Sequence, residues 1–164
     1  MKSLTILTLF SMISTGIQNN DYVTNAPERA GSNVINALKK GSVEEYNSLL
    51  PSLSEFLQIM EINEKLYGGF LSEAKTEFTL LYQREVIPSA KVAFTAVVNE
   101  GIKRGIDWRN VEFVTVKTMA APQHENPVRL DIVFREKGKE YTVRIENAFF
   151  WSGELKVAQF IELI

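Results

Sequence analysis

The chain has 164 residues, 45% hydrophobic and 23% charged, enough apolar material for one domain to bury a core without covalent staples. Its 18 basic residues stand against 20 acidic ones, a net charge of −2, so the clustered positive surface of a nucleic-acid binder is not expected. Cysteine is absent, which excludes disulfides, thiolate zinc ligands, a cysteine nucleophile and lipid attachment through a cysteine.

Residues 1–16 read as an export signal. Lys2 is the positive start, Leu4 to Ile13 the apolar stretch, and Ser14-Thr15-Gly16 the small residues before a cut. The apolar run is too short to cross a bilayer, which takes about 20 residues. The competing reading is a buried strand or helix of the domain itself. Export without disulfides points to a bacterial periplasm or exterior. Residues 17–25 read as a polar linker, and residues 26–164 as a single domain.

The first helix is expected over Pro27 to Lys40. Pro27 suits the first turn, where its missing N–H costs nothing, Ala30, Val34, Ala37 and Leu38 recur at helical spacing, and Gly41 suits the end. Ser42 and Glu45 form a capping-box pattern for a second helix carrying Val43, Tyr46, Leu49 and Leu50. Ser52 or Ser54 caps a third, with Leu53, Phe56, Leu57 and Met60 on its stripe and a break at Gly68-Gly69. A long helical segment runs from about Ser72 to Lys103, kinked or split at Pro88.

From Val111 the period changes to two. Strands are expected over Val111 to Thr118, Val128 to Glu136, Glu140 to Trp151 and Glu154 to Ile164, with a loop over Met119 to Pro127. The fold class is therefore α+β: N-terminal helices packed on a curved antiparallel C-terminal meander of about four strands. A two-residue turn at Lys137-Gly138 places Phe134 opposite Tyr141, Ile132 opposite Val143 and Leu130 opposite Ile145. Continued alternation then puts Asn147 on the apolar face, opposite Val128. A three-residue turn at Trp151-Ser152-Gly153 makes Asn147 and Gln159 neighbours on that face, whereas a two-residue turn separates them. Phe150 and Phe160 fall on the polar face among Arg144, Glu146, Lys156 and Glu162.

Helices followed by a long-stranded meander resemble the nuclear transport factor two-like superfamily. The residues most similar to it are Ala37 to Tyr46 (ALKKGSVEEY), like its early helical hairpin, and Trp151 to Val157 (WSGELKV), like its last β-hairpin. The resemblance implies a sheet curled around a helix with a pocket in its concave face. It implies no single activity, because that superfamily holds isomerases, dehydratases, ligand binders and interaction modules. Four helical segments before the sheet depart from the usual three.

Catalytic constellations are not found in the sequence. His124, the one histidine, lies between prolines in a polar stretch and reads as a loop residue. No metal-ligand spacing, phosphate loop or nucleophile elbow is present, so no catalytic residue, metal or cofactor is expected. Asp131 alternates with Leu130 and Ile132 and belongs to the wet face, and Asp107 reads as a cap or turn residue. The ligand-pocket candidates are Asn147 and Gln159 with Tyr141, Phe149 and Trp151, since an inward amide must find partners. The interface candidates, for a homodimer through the sheet, are Phe150 and Phe160. These features favour a non-catalytic envelope domain that binds a small ligand or protein partner. The alternative is an isomerase or dehydratase with a carboxylate base in the pocket.

Overall fold

The computed structural model describes residues 25–121, 124–157 and 160–164, with side chains described outside 120–127. The expected export signal and most of the linker, through residue 24, lie outside the described residues. Among the described residues, no helix is long and apolar enough to cross a membrane.

Helix α1 (Ala26–Lys40) carries Pro27 and Glu28 in its first turn and Lys39-Lys40 in its last, which suits the helix dipole. Gly41 adopts the left-handed conformation at φ 62°. The N–H groups of Gly41 and Ser42 donate to the carbonyls of Leu38 and Ala37 and close the last turn. Helix α2 (Val43–Asn47) keeps only half of its expected capping box. The Glu45 N–H donates to Ser42 Oγ at 3.1 Å, but the Glu45 carboxylate accepts from Lys40 Nζ at 2.7 Å. A charge-assisted partner one turn back outcompetes a neutral N–H. The full box forms instead at Ser52 and Glu55, where α3 (Leu53–Ile62) begins.

A short turn α4 (Glu64–Tyr67) and a tighter one at Gly68–Phe70 lead into α5 (Leu71–Leu81). The expected disruption at Pro88 takes the form of a π-helical turn, Tyr82–Val86, that runs on into α6 (Ile87–Lys103). The Ile87 N–H reaches back five residues to the Tyr82 carbonyl. Widening the turn accommodates a proline that has no N–H and would crowd the carbonyl four residues back.

The sheet comprises β1 (Glu112–Ala121), β2 (His124–Glu136), β3 (Lys139–Trp151), β4 (Glu154–Val157) and β5 (Ile161–Leu163). It is open and antiparallel in the order β1-β2-β3-β4, with β5 pairing β3 farther along. Most of the expected loop over Met119 to Pro127 is strand, and Ala121 pairs with His124. The three pairs Phe134–Tyr141, Ile132–Val143 and Leu130–Ile145 form as expected. Both two-residue turns, Lys137-Gly138 (φ 49° and 79°) and Ser152-Gly153 (φ 50° and 80°), take the doubly left-handed form that matches strand twist.

Above Ile145 the register departs from simple alternation. Val128 pairs with Ala148 rather than Asn147, so Glu146 and Asn147 together oppose Arg129. This is a β-bulge, and the extra residue inverts every facing after it. Ala148 and Phe150 now continue the face of Val143 and Ile145, while Phe149 and Trp151 turn to the opposite face. Burial follows: Ala148 and Phe150 join the main core, and Phe149 and Trp151 join a second cluster.

The main core lies between the sheet and α1, α2 and α6. Val34, Leu38, Tyr46 and Phe94 pack there with Leu130, Ile132, Phe134, Val143 and Ile145. Gly31 lets α1 seat against β1: a Cβ there would fall 2.2 Å from Val116 Cγ2. The second cluster joins Phe56, Ile59 and Met60 of α3 and Phe78 of α5 to Phe149. The α3–α5 hairpin thus covers the other face of the sheet at its β3–β4 end, which accounts for the additional helical segments.

Candidate functional site

The sequence-derived candidates do not converge. Tyr141 stacks on Phe134 with centroids 5.6 Å apart, and Lys139 Nζ stands 4.9 Å over its ring. Asn147 lies half-buried in the bulge instead of opposite Val128. Phe149 is fully buried in the second cluster, with Trp151 half-buried beside it, on the face opposite Tyr141. Gln159 and the side chain of His124 lie outside the described residues. Trp151 pairs with Glu154 across a two-residue turn, so Val157 stands across from Ala148, not from Asn147. Phe150 packs against the main core rather than on the polar face, because the bulge turned it inward. Phe160 is 52% exposed.

The space between sheet and helices holds packed rings. Tyr46 and Phe94 are 5.2 Å apart and fully buried, and burial pushes the Tyr46 hydroxyl pKa upward, keeping it neutral. The buried carboxylate on this face is Glu136, in phase with Phe134 and 4% exposed. Its Oε1 lies 2.9 Å from Lys137 Nζ, a contact without hydrogen-bond alignment. On the opposite face Asp131 receives two hydrogen bonds from Arg144, at 2.8 and 3.2 Å. The Arg144 guanidinium holds this carboxyl below the usual range against some burial. Asp107 acts as a cap, accepting from the Arg109 N–H and from Asn110 Nδ2. No group of three or more metal-ligating side chains occurs among the described residues.

A cleft of about 180 Å³ opens where the start of α1 faces the edge of β4. Ala26, Ala30, Leu49 and Leu155 give it an apolar floor, and Arg29, Asn33, Ser48, Glu154 and Lys156 supply polar groups. Three elements meet here for local reasons. Asn25 and Pro27 start α1, Pro51 ends the run after α2, and Ser152-Gly153 folds β4 back. The Val157 N–H donates to the Leu49 carbonyl at 3.0 Å and ties the last two together.

The two cations of the cleft differ. Lys156 lies 3.1 Å from both Glu55 and Glu154. Burial works to lower its pKa, but its hydrogen bonds to the two carboxylates outweigh that and raise it. Glu55 is pushed up by burial, yet the Ser52 N–H and Lys156 bring it net below the usual range. Arg29 is exposed and has no carboxylate partner among the described residues. Ser48 Oγ already donates to the Glu45 carbonyl, which leaves Arg29 as the donor for an anion. Among the described residues the cleft therefore presents a guanidinium without a carboxylate partner beside an apolar floor, suited to a carboxylate on a small apolar body. Nothing in the sequence marks Arg29, an ordinary exposed helix residue, because its neighbours in the cleft come from segments far along the chain.

Comparisons with protein-family models, curated proteins and solved structures return no match.

Proposed function

We propose that this chain is a non-catalytic binding domain, exported to the cell envelope and built on the nuclear transport factor two-like plan, whose α1–β4 cleft takes a carboxylate-bearing ligand. The order of elements supports the plan, and the apolar stretch before the domain supports export. The observation that carries the binding reading is Arg29, a guanidinium without a carboxylate partner among the described residues, beside Ala26, Ala30, Leu49 and Leu155. An isomerase or dehydratase would call on Glu136, but that carboxylate is buried against Lys137 beside a packed core, whereas the cleft is open.

The test is titration of the full chain with glutarate and with hexanoate, followed by amide chemical shifts. Saturable shifts centred on Arg29, Ser48 and Leu155, lost in Arg29→Ala, are the expected result. Absence of saturation up to about 10 mM, or unchanged binding by the variant, overturns the reading.

A further inference from the structure

We propose that the cleft receives an extended peptide segment bearing a carboxylate, added as a short strand along the free edge of β4. This rests on the reading of the cleft as a carboxylate site and goes beyond it by assigning the ligand class.

The backbone of β4 supplies the first argument. Its two-residue turn makes Trp151 and Glu154 the closing pair of the hairpin. In such a hairpin the pair flanking the turn exchanges both hydrogen bonds, and alternate residues then turn their N–H and C=O to opposite sides. Glu154 and Lys156 turn toward β3, and Leu155 and Val157 turn away. Val157 shows this directly, because its N–H leaves the sheet and donates to the Leu49 carbonyl at 3.0 Å. By the same phase, the N–H and C=O of Leu155 point out of the sheet into the cleft that Leu155 lines. No backbone partner outside the sheet meets them among the described residues.

The bond from Val157 to Leu49 is thus one rung of a ladder that stops. The segment after α2 meets β4 once, and the cleft occupies the next position along the edge. An unpaired donor and acceptor on a strand edge is the template on which β-strand addition works.

Charge narrows the occupant. Lys156 is already held by Glu55 and Glu154, while Arg29 stands across the cleft without a carboxylate partner among the described residues. A peptide that pairs with Leu155 would carry its carboxylate, from an Asp, a Glu or a chain terminus, to Arg29. Its apolar side chain would rest on Ala26, Ala30 and Leu49. At about 180 Å³ the cleft is smaller than the ~300–1,000 Å³ of small-molecule pockets, which suits a segment lying along an edge better than an engulfed ligand.

The experiment titrates the ¹⁵N-labelled full chain with the peptide acetyl-Val-Thr-Val-Asp-amide. Parallel titrations use its Asn counterpart, its form N-methylated at the central amides, and glutarate. Expected are saturable binding, a downfield shift and slowed exchange of the Leu155 amide, and about tenfold weaker binding by the Asn peptide and by Arg29→Ala. The N-methylated peptide should not bind. If glutarate binds at Arg29 and the peptide binds no more tightly, or binds equally well when N-methylated, the strand-addition proposal fails and the carboxylate cleft survives. If neither glutarate nor peptide binds, both fall.

Discussion

Replacing Gly101 with alanine tests how the helical layer is locked to the sheet. Gly101 lies near the end of α6, and the Trp108 indole rests directly on it. A Cβ there would stand 2.3, 2.5 and 2.7 Å from Cζ2, Cε2 and Nε1 of that ring, where ordinary contacts run 3.4–4 Å. The ring cannot easily retreat. It packs on Phe134 with centroids 5.2 Å apart, and its N–H donates to the Val98 carbonyl at 3.0 Å. Overpacking of this kind costs about 1–3 kcal/mol. Loss of the indole hydrogen bond adds about 1 kcal/mol. The helix preference of alanine over glycine offsets about 1 kcal/mol. The net expectation is a destabilisation of about 2 kcal/mol, or a Tm lower by about 4–8 °C for a chain of this size. Urea unfolding followed by tryptophan fluorescence and near-ultraviolet circular dichroism measures both the loss and the ring's displacement. Gly69→Ala is the control, since that position has open space and no left-handed backbone. A Gly101→Ala protein as stable as the parent, with an unchanged tryptophan signal, would refute the packing argument.

The bulge in β3 turns Phe150 from the polar face to the main core, so Phe150→Ala should cost well over the ~0.5 kcal/mol of a surface substitution, though less than the ~3–5 kcal/mol of the fully buried Phe149→Ala. A Phe150→Ala protein within about 0.5 kcal/mol of the parent in urea unfolding would argue for uninterrupted alternation, which leaves that ring on the polar face. Asp131→Asn should change the pH dependence of stability. The folded-state pKa of Asp131 is lowered by Arg144, so its contribution is present above the unfolded value of about 3.9 and fades as pH falls through the folded value. The gap between parent and variant in urea midpoint should therefore be widest at neutral pH and close at the acid end, and a gap that persists there contradicts the assignment.

Much of this fold follows from short-range rules and was legible in the chain. Ser52 as one of the two expected caps, Gly41 in its left-handed turn, and the pairing of Phe134, Ile132 and Leu130 with Tyr141, Val143 and Ile145 depend on neighbours a few residues away or across one tight turn. The capping box at Ser42 was legible in pattern but not in outcome, because Lys40 took the glutamate. The candidate site was hardly legible at all. Alternation carries a period of two and no mark of an added residue, so nothing in the order Ile145-Glu146-Asn147-Ala148 says that two residues will oppose Arg129.

That one residue decided more than any other. It turned Phe150 into the main core, offered Phe149 to the α3–α5 hairpin and set the facing of β4 beyond the last turn. By itself the sequence determined the element order, most helix ends and the register of the central hairpin, because each rests on local hydrogen bonding and side-chain period. Only the tertiary structure decided which sheet face each late aromatic meets, and that Arg29 shares a cleft with the edge of β4. Those outcomes depend on which surfaces are left to be covered once distant segments have packed.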